Sequence, residues 1–129
     1  MHDVNVMIID DDDITLSLLE HIVDELVSGE ILVFSNSVEA KAFLETDKAQ
    51  SINLVMCDWK MPDVSGIDIL ETLRKNLENC PFLMITANPT KELVVSAKRL
   101  GVTDFIAKPF SSDELTQKLS TLLEKISPA

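Results

Sequence analysis

The chain has 129 residues, of which 46% are hydrophobic and 26% are charged. This length suits one domain, and this composition favours a packed core over disorder. No apolar run approaches the roughly 20 residues of a membrane span, and the start MHDVNVMIID lacks the features of a secretory signal. The net charge of −11 disfavours nucleic acid. We therefore expect no direct contact with nucleic acid or membrane, and either a solvated acidic surface or acids gathered around a cation.

The two cysteines, Cys57 and Cys80, are predicted to be free thiols. Cys57 ends one predicted strand and Cys80 precedes the next parallel strand, so they lie at opposite edges of the sheet, roughly 17 Å apart. A disulfide tolerates a Cα separation of only up to about 7 Å. Free thiols are typical of a reducing compartment, and we expect the protein to be cytoplasmic.

Short apolar runs alternate with helically spaced segments along the chain. The runs are typical of buried strands in a parallel sheet, and the segments between them carry apolar residues at intervals of three and four, which predicts helices. The predicted strands are Val4 to Ile9, Ile31 to Phe34, Ile52 to Cys57, Phe82 to Ala87 and Asp104 to Ala107.

Capping signals predict where several helices begin or end. The first helix is predicted to stop at Gly29. Asn88 and Pro89 are predicted to be the N-cap and first residue of the fourth helix, and Gly101 ends that helix. The S-S-D-E run that begins at Ser111 matches a capping box, which predicts the start of the fifth helix.

Five strands alternating with five helices predict an α/β fold, a doubly wound five-stranded parallel sheet of the flavodoxin-like type. Right-handed crossovers leave few strand orders, and the common one is 2-1-3-4-5. The order reverses between strands 1 and 3, and ligands bind outside the C-terminal strand ends at such a reversal. Residues 1–129 are expected to form a single domain with no output domain.

Acidic residues follow the two strands at this reversal. Strand 1 ends in the run Asp10 to Asp13, and strand 3 ends in Asp58. Clustered carboxylates repel one another, and a divalent cation removes that cost. Mg²⁺ prefers oxygen ligands, and a carboxylate beside it can act as the nucleophile that accepts a phosphoryl group. Asp12 and Asp13 also suit capping of the first helix, so the run alone does not specify a metal site.

Two further polar residues, Thr86 and Lys108, close strands 4 and 5 at the same edge. Taken singly, each is typical of a structural role, a satisfied hydroxyl or a solvated lysine. Beside an acid cluster, a hydroxyl and an ammonium are the groups that the oxygens of a phosphoryl group need. The four strand ends together therefore predict a phosphoryl-transfer site.

These segments resemble the receiver domain of two-component response regulators. The likeness covers Val4 to about Ile126 and rests on IIDDDD, VMCDWKMPDVSG, ITA and FIAKPF at the ends of strands 1, 3, 4 and 5. The D-x-x-M-P-x-x-x-G stretch and the K-P pair are specific in this order and spacing. The resemblance implies a switch that is not a conventional enzyme but catalyses its own phosphorylation and dephosphorylation.

The resemblance also implies a metal site. Asp58 would be the phosphoacceptor, with Mg²⁺, or Mn²⁺ in its place, bound beside it. Asp10 and Asp11 look like the acidic pair that holds the metal, and Asp12 is the alternative because a run of four leaves the register open. The backbone carbonyl of Lys60 would be a further ligand.

Other roles follow from the same resemblance. Thr86 would hydrogen-bond a phosphoryl oxygen, and Lys108 would form an ion pair with it. Phe105, where many relatives have Tyr, would turn inward as Thr86 moves, and plain core packing is the alternative for Phe105. Pro109 is expected to follow a cis peptide bond, and Gly66 is expected to serve the turn after strand 3.

Trp59, Lys60 and Asn88 are expected at the rim of the site, where the last two would control the access of water. The implied partners are a sensor histidine kinase or phosphotransfer protein and an unknown downstream protein. Three alternatives stay open: a phosphohydrolase with an aspartyl nucleophile, for which the chain lacks room, a pseudo-receiver that takes no phosphate, and a receiver excised from a hybrid histidine kinase or a longer response regulator.

Overall fold

Five strands alternate with five α-helices along residues 1–126, which the computed structural model describes. The strands are β1 (Val6–Ile9), β2 (Ile31–Phe34), β3 (Leu54–Asp58), β4 (Phe82–Thr86) and β5 (Asp104–Ala107). The helices are α1 (Asp13–Asp24), α2 (Ser37–Leu44), α3 (Gly66–Asn76), α4 (Lys91–Arg99) and α5 (Ser112–Lys125), with a 3₁₀ helix at Asp47–Ser51.

All strand pairs are parallel and the sheet order is β2-β1-β3-β4-β5, which confirms the predicted flavodoxin-like α/β fold. The register pairs Ile9 with Cys57 and Thr86 with Ala107. The C-terminal ends of the four strands that carry the predicted site therefore lie along one edge of the sheet.

Alternate side chains of each strand enter two hydrophobic cores, one on each face of the sheet. In β1, Val6 and Ile8 pack with α1 and α5, whereas Met7 and Ile9 pack with α2, α3 and α4. All four side chains are fully buried. Burial of one such side chain contributes about 1.5–3 kcal/mol. The two cores therefore hold β1, and the residues at its C-terminal end, firmly in place.

The predicted boundaries near the first helix are wrong. α1 ends at Asp24 rather than at Gly29. Gly29 instead lies against Val4, where a Cβ atom would sit 2.1 Å from a carbonyl oxygen. β1 begins at Val6 rather than at Val4, and ahead of it the amide of His2 donates a hydrogen bond to the carbonyl of Leu26 at 3.0 Å. Gly29 is therefore required by the close approach of two backbone segments and does not end the helix.

The predicted start of α4 is also wrong. Asn88 is not the N-cap and Pro89 is not the first helical residue, because the helix begins at Lys91. Thr90 is the N-cap, and its hydroxyl accepts a hydrogen bond from the amide of Leu93 at 3.1 Å. Threonine and asparagine are both good N-caps, and here Thr90 rather than Asn88 has that role.

The remaining strand predictions hold, apart from small shifts. β3 starts at Leu54 rather than Ile52, and β4 ends at Thr86 rather than Ala87. Cys57 and Cys80 are free, as predicted, and both are buried. Within residues 1–126, no helix is both long enough and apolar enough to cross a membrane.

Candidate functional site

The carboxyl ends of β1 and β3 bring three acidic side chains together. Asp10 follows β1 and is fully buried, and Asp58 ends β3 with 8% of its surface exposed. Asp11 is exposed beside them. Carboxylate oxygens of Asp10, Asp11 and Asp58 all lie within 4.8 Å of one another. The sheet thus gathers acids that are 47 or 48 positions apart in the sequence.

Asp12 has a different role from its two neighbours. Its carboxylate caps α1 by accepting hydrogen bonds from the amide of Thr15 at 3.4 Å and from the hydroxyl of Thr15. The hydroxyl bond lowers the pKa of Asp12. Its own amide donates to Asp10 at 2.9 Å. The carboxylate of Asp12 is engaged in capping, so the geometry favours Asp10 and Asp11 as the acidic pair.

The ammonium group of Lys108, just after β5, reaches across to this cluster. It donates a hydrogen bond to Asp10 at 2.9 Å and lies 3.4 Å from Asp58. The following Lys108–Pro109 peptide bond is cis. One cation is thus shared between two carboxylates, so part of the negative charge of the cluster remains uncompensated.

The pKa values in the cluster reflect this crowding. Burial raises the pKa of Asp58 to about 6, the charge of Asp10 acts in the same direction, and Lys108 opposes both. Burial alone would lower the pKa of Lys108, but its hydrogen bond to Asp10 and the charges of Asp10 and Asp58 raise that pKa above the usual value. A carboxylate held at such a pKa in a polar cleft is a functional candidate on physical grounds.

Thr86 ends β4 at the same edge and is 2% exposed. Its hydroxyl accepts a hydrogen bond from the amide of Asn88 at 3.0 Å, and its carbonyl accepts one from the amide of Lys108 at 2.8 Å. The hydroxyl hydrogen is available for another acceptor because the oxygen acts as the acceptor toward Asn88. The side chain of Asn88 is exposed beyond it.

The loop that leaves β3 begins with Trp59 and Lys60. The amide of Trp59 donates to Ile85 at 2.9 Å, which keeps the residue after Asp58 in line with β4. The ammonium of Lys60 lies 5.0 Å from the centre of the Trp59 ring, a cation–π contact worth about 0.5–1 kcal/mol at an exposed site. Lys60 is exposed, while Trp59 is partly buried against the core.

The middle of this loop is a tight turn. The amide of Val64 donates to the carbonyl of Pro62 at 2.8 Å, and Asp63 between them has a φ of 69°. This is a γ-turn, whose form with positive φ is strained for a residue with a side chain. The loop ends at Gly66, where a Cβ atom would lie 2.5 Å from the carbonyl oxygen of Asp58. Gly66 therefore permits α3 to start in contact with β3, and its φ is not positive.

Sequence reasoning missed two hydroxyl groups that hold this loop. Ser65 and Asp68 form a capping box that starts α3, and the S-x-x-D pattern could have revealed it. Ser37, the first residue of α2, is 4% exposed and donates a hydrogen bond to the carbonyl of Pro62 at 3.0 Å. No local signal announces this bond because its partners are 25 residues apart.

Phe105 in β5 is partly buried and packs against the core on the α2, α3 and α4 face. It pairs with Met84 in β4, two residues before Thr86. Side chains two residues apart in a strand share a face, so Phe105 and Thr86 lie on the same side of neighbouring strands. This placement is compatible both with core packing and with movement coupled to Thr86.

An apolar groove of about 330 Å³ opens beside Lys108. It lies between α1 and the loop after β5. Its lining consists of Thr15, Leu18, Ala87, Lys108, Pro109 and Phe110. On α1, Ile14 is 82% exposed and Leu18 is 42% exposed next to it. The site is thus flanked by exposed apolar surface, a feature typical of a surface that binds another molecule.

The acid cluster fits a hard divalent cation such as Mg²⁺. In the part of the chain described, its three side-chain donors are all carboxylate oxygens, without histidine or thiolate. The nearby Cys57 is fully buried, which raises the pKa of its thiol well above the usual value and keeps it protonated. The donors therefore match magnesium better than a metal that prefers sulfur or nitrogen.

Comparison with known proteins gives a family for this fold and site. Residues 6–120 match the family model described as the response regulator receiver domain. The chain is 34% identical to chemotaxis protein CheY-3 of Vibrio cholerae over 128 residues, which cover 95% of this chain and 94% of that protein. It is 27% identical to a CheY homolog of Campylobacter jejuni over 122 residues, with 93% and 92% covered.

Solved structures agree. The chain is similar to a CheY-like receiver domain protein from Methanospirillum hungatei, with a TM-score of 0.85, 25% identity and 95% of each chain covered. It is also similar to the receiver domain of Francisella response regulator 1452, with a TM-score of 0.81, 26% identity, and 97% of this chain and 100% of that one covered. The chain belongs to the response regulator receiver domain family.

Proposed function

We propose that this chain is a phosphoacceptor switch of a two-component phosphorelay, which takes a phosphoryl group on Asp58 in a Mg²⁺-dependent manner. The observation that carries the proposal is the Asp58 carboxylate, which lies at the end of β3 within 4.8 Å of two other acids and 3.4 Å from an ammonium. An anionic nucleophile beside a metal-ligand set and a fixed cation suits phosphoryl transfer.

In the proposed reaction, a carboxylate oxygen of Asp58 attacks the phosphorus of a phosphohistidine. A P–O bond forms as the P–N bond breaks, and the imidazole nitrogen leaves with the electron pair. Asp58 reacts as the carboxylate, so its pKa of about 6 leaves most of it reactive at neutral pH. Hydrolysis of the aspartyl phosphate by water returns the free carboxylate. The domain thus assists its own phosphorylation and dephosphorylation without being a conventional enzyme.

Asp10, Asp11 and Asp58, with the backbone carbonyl of Lys60, would hold Mg²⁺ or Mn²⁺. The bound ion supplies charge neutralisation for the phosphoryl oxygens. Lys108 is placed to exchange its contact with Asp58 for one with a phosphoryl oxygen. These residues position the group and compensate its charge, which is most of what a protein contributes to phosphoryl transfer.

Thr86 would donate its hydroxyl hydrogen to a phosphoryl oxygen on Asp58. That movement would leave space on its face of the sheet, into which the Phe105 ring would turn. The result is a shift between two populations, of which the phosphoryl group favours one. Because Phe105 lacks the hydroxyl of tyrosine, its inward position can only be stabilised by packing. Lys60 and Asn88 would set the lifetime of the phosphoryl group by controlling the approach of water.

The phosphodonor would be a sensor histidine kinase or a phosphotransfer protein. We propose that it docks at the groove between α1 and the loop after β5, because Ile14, Leu18 and Phe110 offer apolar surface beside the acceptor. The output would be a change in binding to a downstream protein rather than to nucleic acid, which the net charge of −11 disfavours. Residues 1–129 would act as one receiver domain in the cytoplasm, a compartment that suits its free thiols.

Intact mass after incubation with acetyl phosphate, with and without Mg²⁺, tests the proposal. The wild type should gain one phosphoryl group only with Mg²⁺, and Asp58→Ala should gain none. If the wild type gains nothing from acetyl phosphate or from a histidine kinase, the chain is a pseudo-receiver. A gain that persists in Asp58→Ala would place the acceptor elsewhere.

A further inference from the structure

The β3–α3 loop carries the Lys60 carbonyl, the one proposed metal ligand that belongs to the main chain. Among the main-chain groups from Lys60 to Asp63, the Pro62 carbonyl is the one that forms hydrogen bonds with the described part of the chain, residues 1–126. It accepts from the amide of Val64 at 2.8 Å, inside the same loop, and from the hydroxyl of Ser37 at 3.0 Å. Ser37 therefore ties this stretch to another element of the fold.

The hydrogen bond between Ser37 and Pro62 joins segments that follow the two neighbours of β1. β2 and β3 lie on either side of β1, and β1 leads into Asp10 and Asp11. Ser37 begins α2 shortly after β2, and Pro62 lies in the loop after β3. Their hydrogen bond thus connects the segments that leave the two strands flanking the acidic pair.

The path from Pro62 to Lys60 is short and stiff. The two carbonyl groups are two residues apart, at most about 7 Å of backbone. The proline ring fixes φ at Pro62, and the residue before a proline is restricted to extended conformations, so Met61 also has little freedom. Met61 packs against the hydrophobic core as well. A displacement of the Pro62 carbonyl is therefore passed to the Lys60 carbonyl instead of being absorbed between them.

The γ-turn at Asp63 has a strained backbone conformation, so it needs additional stabilisation. Asp63 has a φ of 69°, in the region that disfavours residues with a side chain. A second hydrogen bond on the Pro62 carbonyl stabilises the turn against relaxation. The hydroxyl is not needed to cap α2, because Asn36 is the N-cap and accepts from the amide of Glu39 at 3.1 Å.

We propose that Ser37 is a positioning residue for the metal site, which acts by holding the Pro62 carbonyl and, through it, the Lys60 carbonyl. The inference rests on the proposed function, since it concerns the affinity of that site for Mg²⁺. Groups that orient metal ligands from outside the coordination shell typically change affinity 10- to 100-fold. A single neutral hydrogen bond acting through two residues should change it about 3- to 10-fold.

The test is titration of each purified variant with Mg²⁺, followed by Trp59 fluorescence and checked by calorimetry. Ser37→Ala should raise the Kd for Mg²⁺ about 3- to 10-fold, whereas Ser37→Thr, which keeps the hydroxyl, should stay within twofold of the wild type. Thr72→Val is the matched control. Thr72 is 6% exposed and its hydroxyl also donates to a carbonyl at 3.0 Å, but inside α3.

The outcomes separate the two proposals. A wild type that binds no Mg²⁺ by calorimetry overturns the proposed metal site itself. A wild type that binds Mg²⁺ while Ser37→Ala keeps the same Kd refutes only the role of Ser37. An equal loss of affinity in Ser37→Ala and Thr72→Val assigns the effect to general destabilisation and also refutes it. If Ser37→Ala does not fold, Ser37→Thr decides, and a Kd more than threefold above the wild type overturns the inference.

Discussion

Asp58→Asn is expected to stabilise the metal-free protein at neutral pH. Burial and Asp10 raise the Asp58 pKa from 3.8 to about 6, so the folded protein binds this proton more tightly than the unfolded chain does. Stability then falls as the pH rises from about 4 to 6, and the full cost is present at pH 7. At about 1.4 kcal/mol per pKa unit, the cost approaches 3 kcal/mol. The neutral amide removes this cost.

Urea unfolding in EDTA at pH 7 and at pH 4 measures the effect. The variant should gain up to about 3 kcal/mol at pH 7, or a rise in Tm of roughly 10 °C for a domain of this size. The gain should shrink at pH 4, where the wild-type carboxyl is protonated. Asp3→Asn, the same change at an exposed residue, should stay within about 0.5 kcal/mol of the wild type at both pH values. Equal stability at pH 7, or an equal gain at pH 4, would refute the argument.

Substitutions at four further positions test the contacts around the site by urea unfolding. Gly66→Ala should destabilise by about 2 kcal/mol because its Cβ would lie 2.5 Å from a carbonyl oxygen of β3; helix propensity alone predicts a gain of about 1 kcal/mol, so a gain would contradict the clash. Thr90→Ala should lower the free energy of unfolding by about 1 kcal/mol, because Thr90 is the N-cap of α4, whereas Asn88→Ala should change it very little. A larger loss in Asn88→Ala than in Thr90→Ala would instead support Asn88 as the N-cap. Lys108→Ala leaves the fully buried Asp10 without its ion pair and should cost about 3 kcal/mol, a loss that Lys108→Arg should partly prevent.

The fold was predictable because its strands are apolar on both faces. Runs such as Phe82 to Ile85 have no polar face to present to water, so a parallel sheet covered by helices is the expected arrangement. The boundaries that failed depend on distant contacts. Gly29 looked like a helix stop, yet its reason lies in the backbone of Val4, 25 residues away. A single sequence does not reveal such an approach.

The strand ends gave most of the candidate site, since the C-terminal ends of parallel strands share one edge. The register of the acidic run was left open, although Thr15 stands three residues after Asp12, a spacing that favours Asp12 as the cap. The contact between Ser37 and Pro62 had no such local signal. What could be predicted followed from chain direction and spacing, and what could not depended on side chains meeting across the fold.

The charges of the site explain why it would respond to phosphorylation. The ammonium of Lys108 forms ion pairs with two buried carboxylates. It lies 2.9 Å from Asp10 and 3.4 Å from Asp58. A metal ion would reduce the repulsion between the acids, and a phosphoryl group would give Lys108 and the Thr86 hydroxyl a shared partner. Each step would add a partner for a carboxylate, for Lys108 or for the hydroxyl hydrogen of Thr86, in a cleft where such pairing is worth more than in water. In the proposed switch, the burial and charge repulsion that lower the stability of the free state would therefore favour phosphorylation, and Asp58→Asn should gain stability and lose that response.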